Sequence, residues 1–148
     1  MAAFVTMRQA LITQLSCVTD GASSKVAAPR VLLVADGHDF TAALAFDTVS
    51  QLVSDEIAAT NYARQNLTFT AAVTIDTDGR AALDFDDTDF GAVGGGLDAD
   101  VSGAYVFDDT GNDATSRLLY SVPFDEAKTT DGGALIVRWS NPAARVSA

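Results

Sequence analysis

Apolar and polar residues alternate most regularly between residues 67 and 75. On one side of the alternation every residue is apolar: Leu67, Phe69, Ala71, Val73 and Ile75. On the other side most residues are threonines: Thr68, Thr70 and Thr74. A period of two that persists over this length predicts a β-strand with one buried face.

This strand is expected to form a hairpin with residues 81–85, whose alternate positions are again apolar. A two-residue Asp-Gly loop would place apolar residues opposite acidic ones. A three-residue loop at residues 77–79 instead places Ile75 opposite Ala81 and keeps the apolar faces together. We therefore predict the three-residue loop, with Gly79 in the left-handed conformation of a bulge.

Other apolar runs predict further strands. The run within residues 30–36 is bounded by a proline and an Asp-Gly pair, which is typical of a strand buried on both faces. Two more strands are predicted at residues 102–107 and 134–139. Within residues 118–124 the alternation predicts one apolar face, and Pro123 places that end at an edge or a bulge because proline lacks an N–H group. The apolar face of this strand comprises Leu118, Tyr120, Val122 and Phe124.

The remaining segments are predicted from their composition. Residues 86–96 are rich in aspartate and glycine and favour a flexible connection, and residues 126–133 favour a loop. Residues 40–61 fit either a helix or a partly ordered loop with a helical turn. Residues 4–15 have apolar side chains at helical spacing and predict a short amphipathic helix that Gly21 would cap. This helix would pack on the protein's own sheet, which base rates favour, or grip a neighbouring subunit.

Short strands separated by turns predict a mainly β fold. The architecture we expect is an antiparallel β-sandwich or a jelly-roll-like barrel with a short N-terminal α-helix. The length of 148 residues suits one domain, residues 1–148, with the helix or arm at residues 1–20 and the β core at residues 30–140.

The charge of the chain narrows the possible partners. It carries 20 acidic and 9 basic residues, a formal net charge of −11. Binding to nucleic acid needs clustered lysine and arginine, so neither a nucleic acid nor an anionic membrane surface is an expected partner. No apolar run reaches the roughly 18 residues that span a bilayer. A basic protein partner remains compatible with this charge.

Few residues are candidates for chemistry. His38 is the only histidine, and no Gly-x-Ser-x-Gly element accompanies it, so we interpret it as a loop histidine rather than as a catalytic base. Because Cys17 is the only cysteine, an intrachain disulfide and a cysteine metal cluster are excluded. We interpret Cys17 as a small buried residue. No catalytic residue and no cofactor is predicted.

Several motifs are compatible with ligand binding but favour simpler interpretations. Residues 76–79 begin like a calcium loop but lack its third ligand position and its distal glutamate. Asn66-Leu67-Thr68 matches a glycosylation sequon and is interpreted as a chance match within a strand. Gly94-Gly95-Gly96 lacks the lysine of a phosphate-binding loop. A weak cation site is an alternative to simple solvation for four acids: Asp84, Asp86, Asp87 and Asp89. No metal site is predicted.

Between residues 30 and 140, a series of segments forms a recognisable pattern of strands and turns: Arg30-Val31-Leu32-Leu33-Val34, Ser54-Asp55-Glu56-Ile57, Asn61-Tyr62-Ala63-Arg64-Gln65, the threonine-rich hairpin with Asp76 to Arg80, Tyr105-Val106-Phe107-Asp108-Asp109-Thr110-Gly111, Ala114-Thr115-Ser116, Leu118-Leu119 and Ile136-Val137-Arg138-Trp139. With these segments, much of this part of the chain resembles a family of short virion proteins of tailed bacteriophages. At Arg117 the chain departs from the family pattern, which has proline there.

The resemblance implies a non-enzymatic structural protein of the particle. The expected role is a capsid decoration, or cement, protein that contacts the major capsid protein and forms a homo-oligomer, with a trimer favoured. It would be made in the cytoplasm of the bacterial host and lie on the capsid surface. The alternative is a small tail-fibre or tail-tip protein that binds a receptor or carbohydrate, with exposed aromatic residues near Phe90 or Trp139 forming a sugar platform.

Overall fold

The protein folds mainly into antiparallel β-strands, as predicted. The structure is a computed structural model that describes residues 28–68, 74–75, 81–83, 85–94, 100–139 and 144–146. The strands within these ranges are β1 (Pro29–Ala35), β2 (Gln65–Asn66), β3 (Thr74–Ile75), β4 (Ala81–Leu83), β5 (Thr88–Gly94), β6 (Val101–Asp108), β7 (Arg117–Lys128), β8 (Asp131–Val137) and β9 (Ala144–Val146). The predicted helix at residues 4–15, its cap Gly21 and Cys17 lie outside the described residues.

The described strands form three sheets. The largest has the strand order β2-β1-β6-β7, a second has the order β3-β4-β9, and a third pairs β5 with β8. All the pairings are antiparallel. As far as the described residues extend, these sheets do not close into a barrel, so the sandwich is the better of the two predicted architectures.

Strand β1 lies at the centre of the packing and is buried on both faces, as predicted. Val31, Leu32, Leu33 and Val34 are all fully buried. Successive side chains of a strand point to opposite faces. Val31 and Leu33 therefore join the core that the four-stranded sheet shares with β5 and β8, whereas Leu32 and Val34 join a second core under residues 40–52. Each such side chain contributes about 2 kcal/mol by leaving water.

Residues 40–61 form the second of the two predicted alternatives, a loop with short helical turns. It contains two 3₁₀ helices, η1 (Ala42–Ala45) and η2 (Val49–Gln51). The residues that cover the second core recur at every third position: Phe40, Ala43, Phe46, Val49 and Leu52. Ala43 and Phe46 span one 3₁₀ turn, as do Val49 and Leu52, and each turn is closed by a hydrogen bond from the later N–H to the earlier carbonyl, so the two side chains of each pair lie on the same side.

The predicted hairpin register is confirmed where it is described. Ile75 lies opposite Ala81, and Thr74 lies opposite Ala82, as the three-residue loop requires. The loop itself and residue 73 lie outside the described residues. On its other side β4 pairs with β9, a strand that the sequence analysis did not predict.

The prediction of a flexible connection at residues 86–96 was wrong, because β5 occupies its centre. Gly91 and Gly94 have positive φ angles of 72° and 90°, and the pairing of β5 with β8 shifts register around them. These glycines thus form irregularities within a strand. A loop was also wrongly predicted at residues 126–133, since β7 continues to Lys128 and β8 begins at Asp131.

Strand β7 carries two irregularities against β6. Pro123 lies opposite Gly103 and Lys128 opposite Val101, so five steps along β7 match two along β6. Strand β7 is also the edge strand of its sheet, so the prediction of an edge or a bulge at Pro123 is confirmed. A second register shift lies beside Leu119. It moves Leu118 to the second core while Tyr120, Val122 and Phe124 remain in the first, so the predicted single apolar face was wrong at Leu118.

Candidate functional site

The only histidine is buried in a hydrogen-bonded relay. His38 follows β1 after a turn at Gly37, whose φ angle is +87°. Its Nδ1 lies 2.6 Å from the carboxylate of Asp55, and its Nε2 lies 2.8 Å from the hydroxyl of Tyr105 on β6. His38 lies in a loop, as predicted from the sequence, whereas neither hydrogen-bond partner was predicted.

The relay has the order carboxylate, imidazole, hydroxyl. With a neutral imidazole, Nδ1–H donates to Asp55, and the O–H of Tyr105 donates to Nε2, so every polar group in the relay is satisfied. Phe40 covers it by stacking on Tyr105 at 5.6 Å and by meeting the His38 ring edge-on at 4.7 Å.

The hydroxyl at the inner end of this relay does not face solvent. Tyr105 is fully buried, and the His38 side chain is only 1% exposed. Burial, followed by the charges of Asp55 and Asp39, raises the pKa of Tyr105 above its usual range, which disfavours the phenolate. In this geometry the relay joins β1, β6 and the loop at Asp55.

A second polar group surrounds Arg64. Its guanidinium donates to both carboxylate oxygens of Glu56, at 2.8 and 2.6 Å, and to both oxygens of Asp113, at 2.6 and 3.0 Å. The same guanidinium lies 5.5 Å from the ring centre of Phe107. Such two-point pairing fixes orientation as well as charge.

Tyr62 connects Glu56 to the central strand. Its hydroxyl donates to Glu56 at 2.8 Å and accepts the backbone N–H of Leu33 at 3.0 Å. Burial, and then the charge of Glu56, raises the pKa of Tyr62. The hydroxyl thus remains a donor to the carboxylate at any ordinary pH.

Arg30 extends this group to the loop after β6. It donates to Asp109 at 2.8 Å and to the backbone carbonyl of Arg64 at 2.8 Å. Asp109 also accepts the backbone N–H of Gly111 at 2.8 Å. We call Arg30, Glu56, Arg64, Asp109 and Asp113 the ionic cluster.

The two aspartates of the ionic cluster have lowered pKa values. The hydrogen bond from Arg64 is the main cause at Asp113, and the hydrogen bond from Arg30 is the main cause at Asp109. The cluster ties residues 56–64 to residues 109–113 by charge-assisted hydrogen bonds. It thereby holds two loops in fixed positions beside the four-stranded sheet.

The two aromatic residues proposed for a sugar platform differ in exposure. Phe90 is only 4% exposed and stacks on Tyr62, so a platform at Phe90 is excluded in this geometry. Trp139 is half-buried, with Phe85 and Tyr120 against its ring. Its Nε1–H donates to the Thr88 hydroxyl at 3.0 Å.

The outer face of the β5–β8 pair presents few polar side chains. Asp89 lies opposite Ile136, and Ala92 lies opposite Ala134. All four residues are exposed, whereas the alternate residue Phe90 is buried against the core. We call these four residues the ribbon face.

The acids proposed for a weak cation site hold other partners where they are described. Asp87 lies 3.9 Å from Arg138, and Asp89 accepts the N–H of Gly91 at 2.7 Å. Among the described residues no group of three or more potential ligands is placed to hold a metal ion. Asp84 and residues 76–79 lie outside the described ranges, and Asn66 of the sequon is exposed on β2.

None of the helices in the described ranges has the length and apolar character needed to cross a membrane. No protein-family model, no curated protein and no solved structure matches the sequence.

Proposed function

We propose that the protein is a structural component of a tailed-bacteriophage virion, a decoration protein that stabilises the head by contacting the major capsid protein. The starting point is the sequence resemblance between residues 30 and 140. The proposal includes a homo-oligomer, with a trimer favoured, and a location on the capsid surface after synthesis in the bacterial cytoplasm.

The structural observation that supports this proposal is the ionic cluster. Arg30 and Arg64, two of the 9 basic residues of an acidic chain, are engaged with carboxylates of their own chain. They brace loops around a doubly buried strand. Pre-ordered loops suit a protein that adheres to a repeating surface, because they lose little conformational freedom on binding.

Several segments that carry the resemblance meet in this cluster. Arg30 comes from the first segment, Glu56 and Arg64 from the next two, and Asp109 from the segment around β6. Segments far apart in sequence therefore contribute to one structural unit, which suits a shared scaffold. This supports the class of protein more than its position on the particle.

The alternative is a tail protein that binds a carbohydrate, and Trp139 is the observation that favours it. Its ring is half-buried and meets the rings of Phe85 and Tyr120 edge to face, at 5.4 and 6.2 Å. The exposed carboxylate of Asp87 accepts the backbone N–H of Trp139 at 3.4 Å, so a carboxylate lies near this residue. An anchored aromatic ring beside a carboxylate is a suitable arrangement for a sugar.

Purified particles test the two candidates. Quantitative mass spectrometry of the virion, together with antibody labelling in electron micrographs, gives the copy number and the position. A decoration protein should be present in a fixed ratio to the major capsid protein and label the head evenly. Labelling confined to the tail tip would favour the alternative, and absence from the particle would refute both.

A further inference from the structure

The ribbon face is apolar at positions where an exposed strand normally carries polar side chains. Along β5 and β8 the inward positions are filled by buried residues such as Phe90 and Val137. The outward positions should then face water and be polar. Instead they include Ala92, Ala134 and Ile136.

Ile136 is the large apolar side chain exposed on the ribbon face. It is 44% exposed, and Val53, at 52%, is the other large apolar side chain exposed in the described part of the chain. The paired alanines beside Ile136 are small, so they leave the outer surface of the strands open to close approach. A partner that approached this closely would remove the apolar area of Ile136 from water, which favours binding.

The charges around this surface are mostly negative. Asp89 lies directly across from Ile136, Asp131 is the first residue of β8, and Asp87 immediately precedes β5. Among the described residues, Arg138 is the basic residue next to these carboxylates, and its Nε is paired with the carboxylate of Asp87 at 3.9 Å. A partner surface with lysine or arginine around an apolar centre would complement this pattern.

A second copy of the chain fits this surface less well. Each copy carries a net charge of −11, and a copy that docked face to face would bring a second set of the same carboxylates. Like charges placed opposite each other across an interface oppose association. The charge pattern therefore favours a different, basic partner.

We infer that the ribbon face docks a protein partner whose contact surface has an apolar centre flanked by basic residues. The inference rests on the proposed function, because it identifies the surface that would contact the capsid. The contact would combine burial of Ile136 between the two surfaces with pairing of Asp89 to a cation.

The test uses the whole protein and two synthetic peptides. One peptide alternates lysine with valine, and the other alternates lysine with serine at the same length and charge. Three variants accompany the wild type: Ile136→Ser, Asp89→Asn and the control Val53→Ser. Asparagine at position 89 retains an acceptor for the N–H of Gly91. Val53 is a suitable control because it is exposed but lies just after η2, outside β5 and β8.

We expect the lysine–valine peptide to bind the wild type and Val53→Ser equally. Ile136→Ser should weaken this binding about tenfold, and Asp89→Asn should weaken it and reduce its dependence on salt. The inference fails if the lysine–serine peptide binds as tightly, or if Ile136→Ser has no effect. It also fails if the wild type self-associates and Ile136→Ser abolishes that association.

Particle incorporation separates this inference from the proposed function. If Ile136→Ser incorporates into particles as well as wild type, the docking surface is refuted and the virion role stands. If the protein is absent from particles while the peptide results hold, the virion role is refuted and the docking surface stands. Circular dichroism and thermal melting of each variant check that the fold is retained.

Discussion

Arg64 and Glu56 form a two-point ion pair in which Nε and Nη2 lie 2.8 and 2.6 Å from the two carboxylate oxygens. Their side chains are only 20% and 13% exposed. Because water reaches neither group freely, each depends on the other for its hydrogen bonds.

Replacing Arg64 with methionine should destabilise the fold by about 3 kcal/mol, because Glu56 and Asp113 would lose their cation while remaining partly buried. Arg64→Lys should cost less, since it retains the charge but not the planar fork. The control Arg138→Met changes a side chain that is 81% exposed and should alter stability by about 0.5 kcal/mol or less. Urea denaturation measures all three. Equal effects of Arg64→Met and Arg138→Met would contradict this role.

Stability should fall on acidification because the pKa values of Asp109 and Asp113 are lowered in the folded state. A lowered folded-state pKa contributes stability that is fully present above the unfolded value, about 3.9, and is lost as the pH falls through the folded value. Urea midpoints measured from about pH 6 to pH 2.5 should show this loss below about pH 4. Asp113→Asn should flatten the curve, and a curve unchanged by this substitution would argue against the assignment.

The hydrogen bond between His38 and Tyr105 should contribute measurably to stability. Tyr105→Phe retains the ring stack on Phe40 and removes only the hydroxyl, so we expect a loss of about 1–2 kcal/mol. His38→Ala should cost more, because Phe40 and Asp55 also lose a neighbour. In a double-mutant cycle the two substitutions should couple by about 1 kcal/mol. Strictly additive effects would show that the 2.8 Å contact contributes little.

Alanine substitutions at two glycines with similar φ angles should distinguish steric crowding from backbone strain. Gly94 and Gly111 have φ angles of +90° and +79°. A Cβ atom at Gly94 would clash with the carbonyl oxygen of Thr130, whereas one at Gly111 would meet nothing within 4 Å. Gly94→Ala should therefore destabilise by about 1–3 kcal/mol more than Gly111→Ala. Thermal denaturation measures the difference. Equal losses of stability would show that the turn at Thr130, between β7 and β8, can shift to relieve the clash.

The parts of the fold that could be predicted are those whose periodicity agrees with local turn chemistry. The doubly buried strand, the register of Ile75 with Ala81 and the irregularity at Pro123 each follow from a few neighbouring residues. The strand β5 could not be predicted in this way, because glycines that indicate flexibility in a sequence also occupy bulges. Their role depends on β8, about forty residues further along the chain.

The buried polar groups were less accessible to sequence analysis. His38 gave no indication of Asp55 and Tyr105, because the three meet only after β6 pairs with β1. A signal did exist for the ionic cluster. In a chain with 20 acids and 9 bases, an arginine beside a strongly apolar strand, such as Arg30, is a good candidate for an internal ion pair.

The pairing of β1 with β6 has a consequence for biosynthesis. Arg30 aligns with Phe107, so the apolar run of β1 leaves the ribosome long before the strand that shields it. Until then, the nascent chain presents four consecutive side chains that are destined for the interior. Such long-range pairing slows folding and leaves apolar side chains exposed in the meantime, so we expect folding to be slow for a chain of this size.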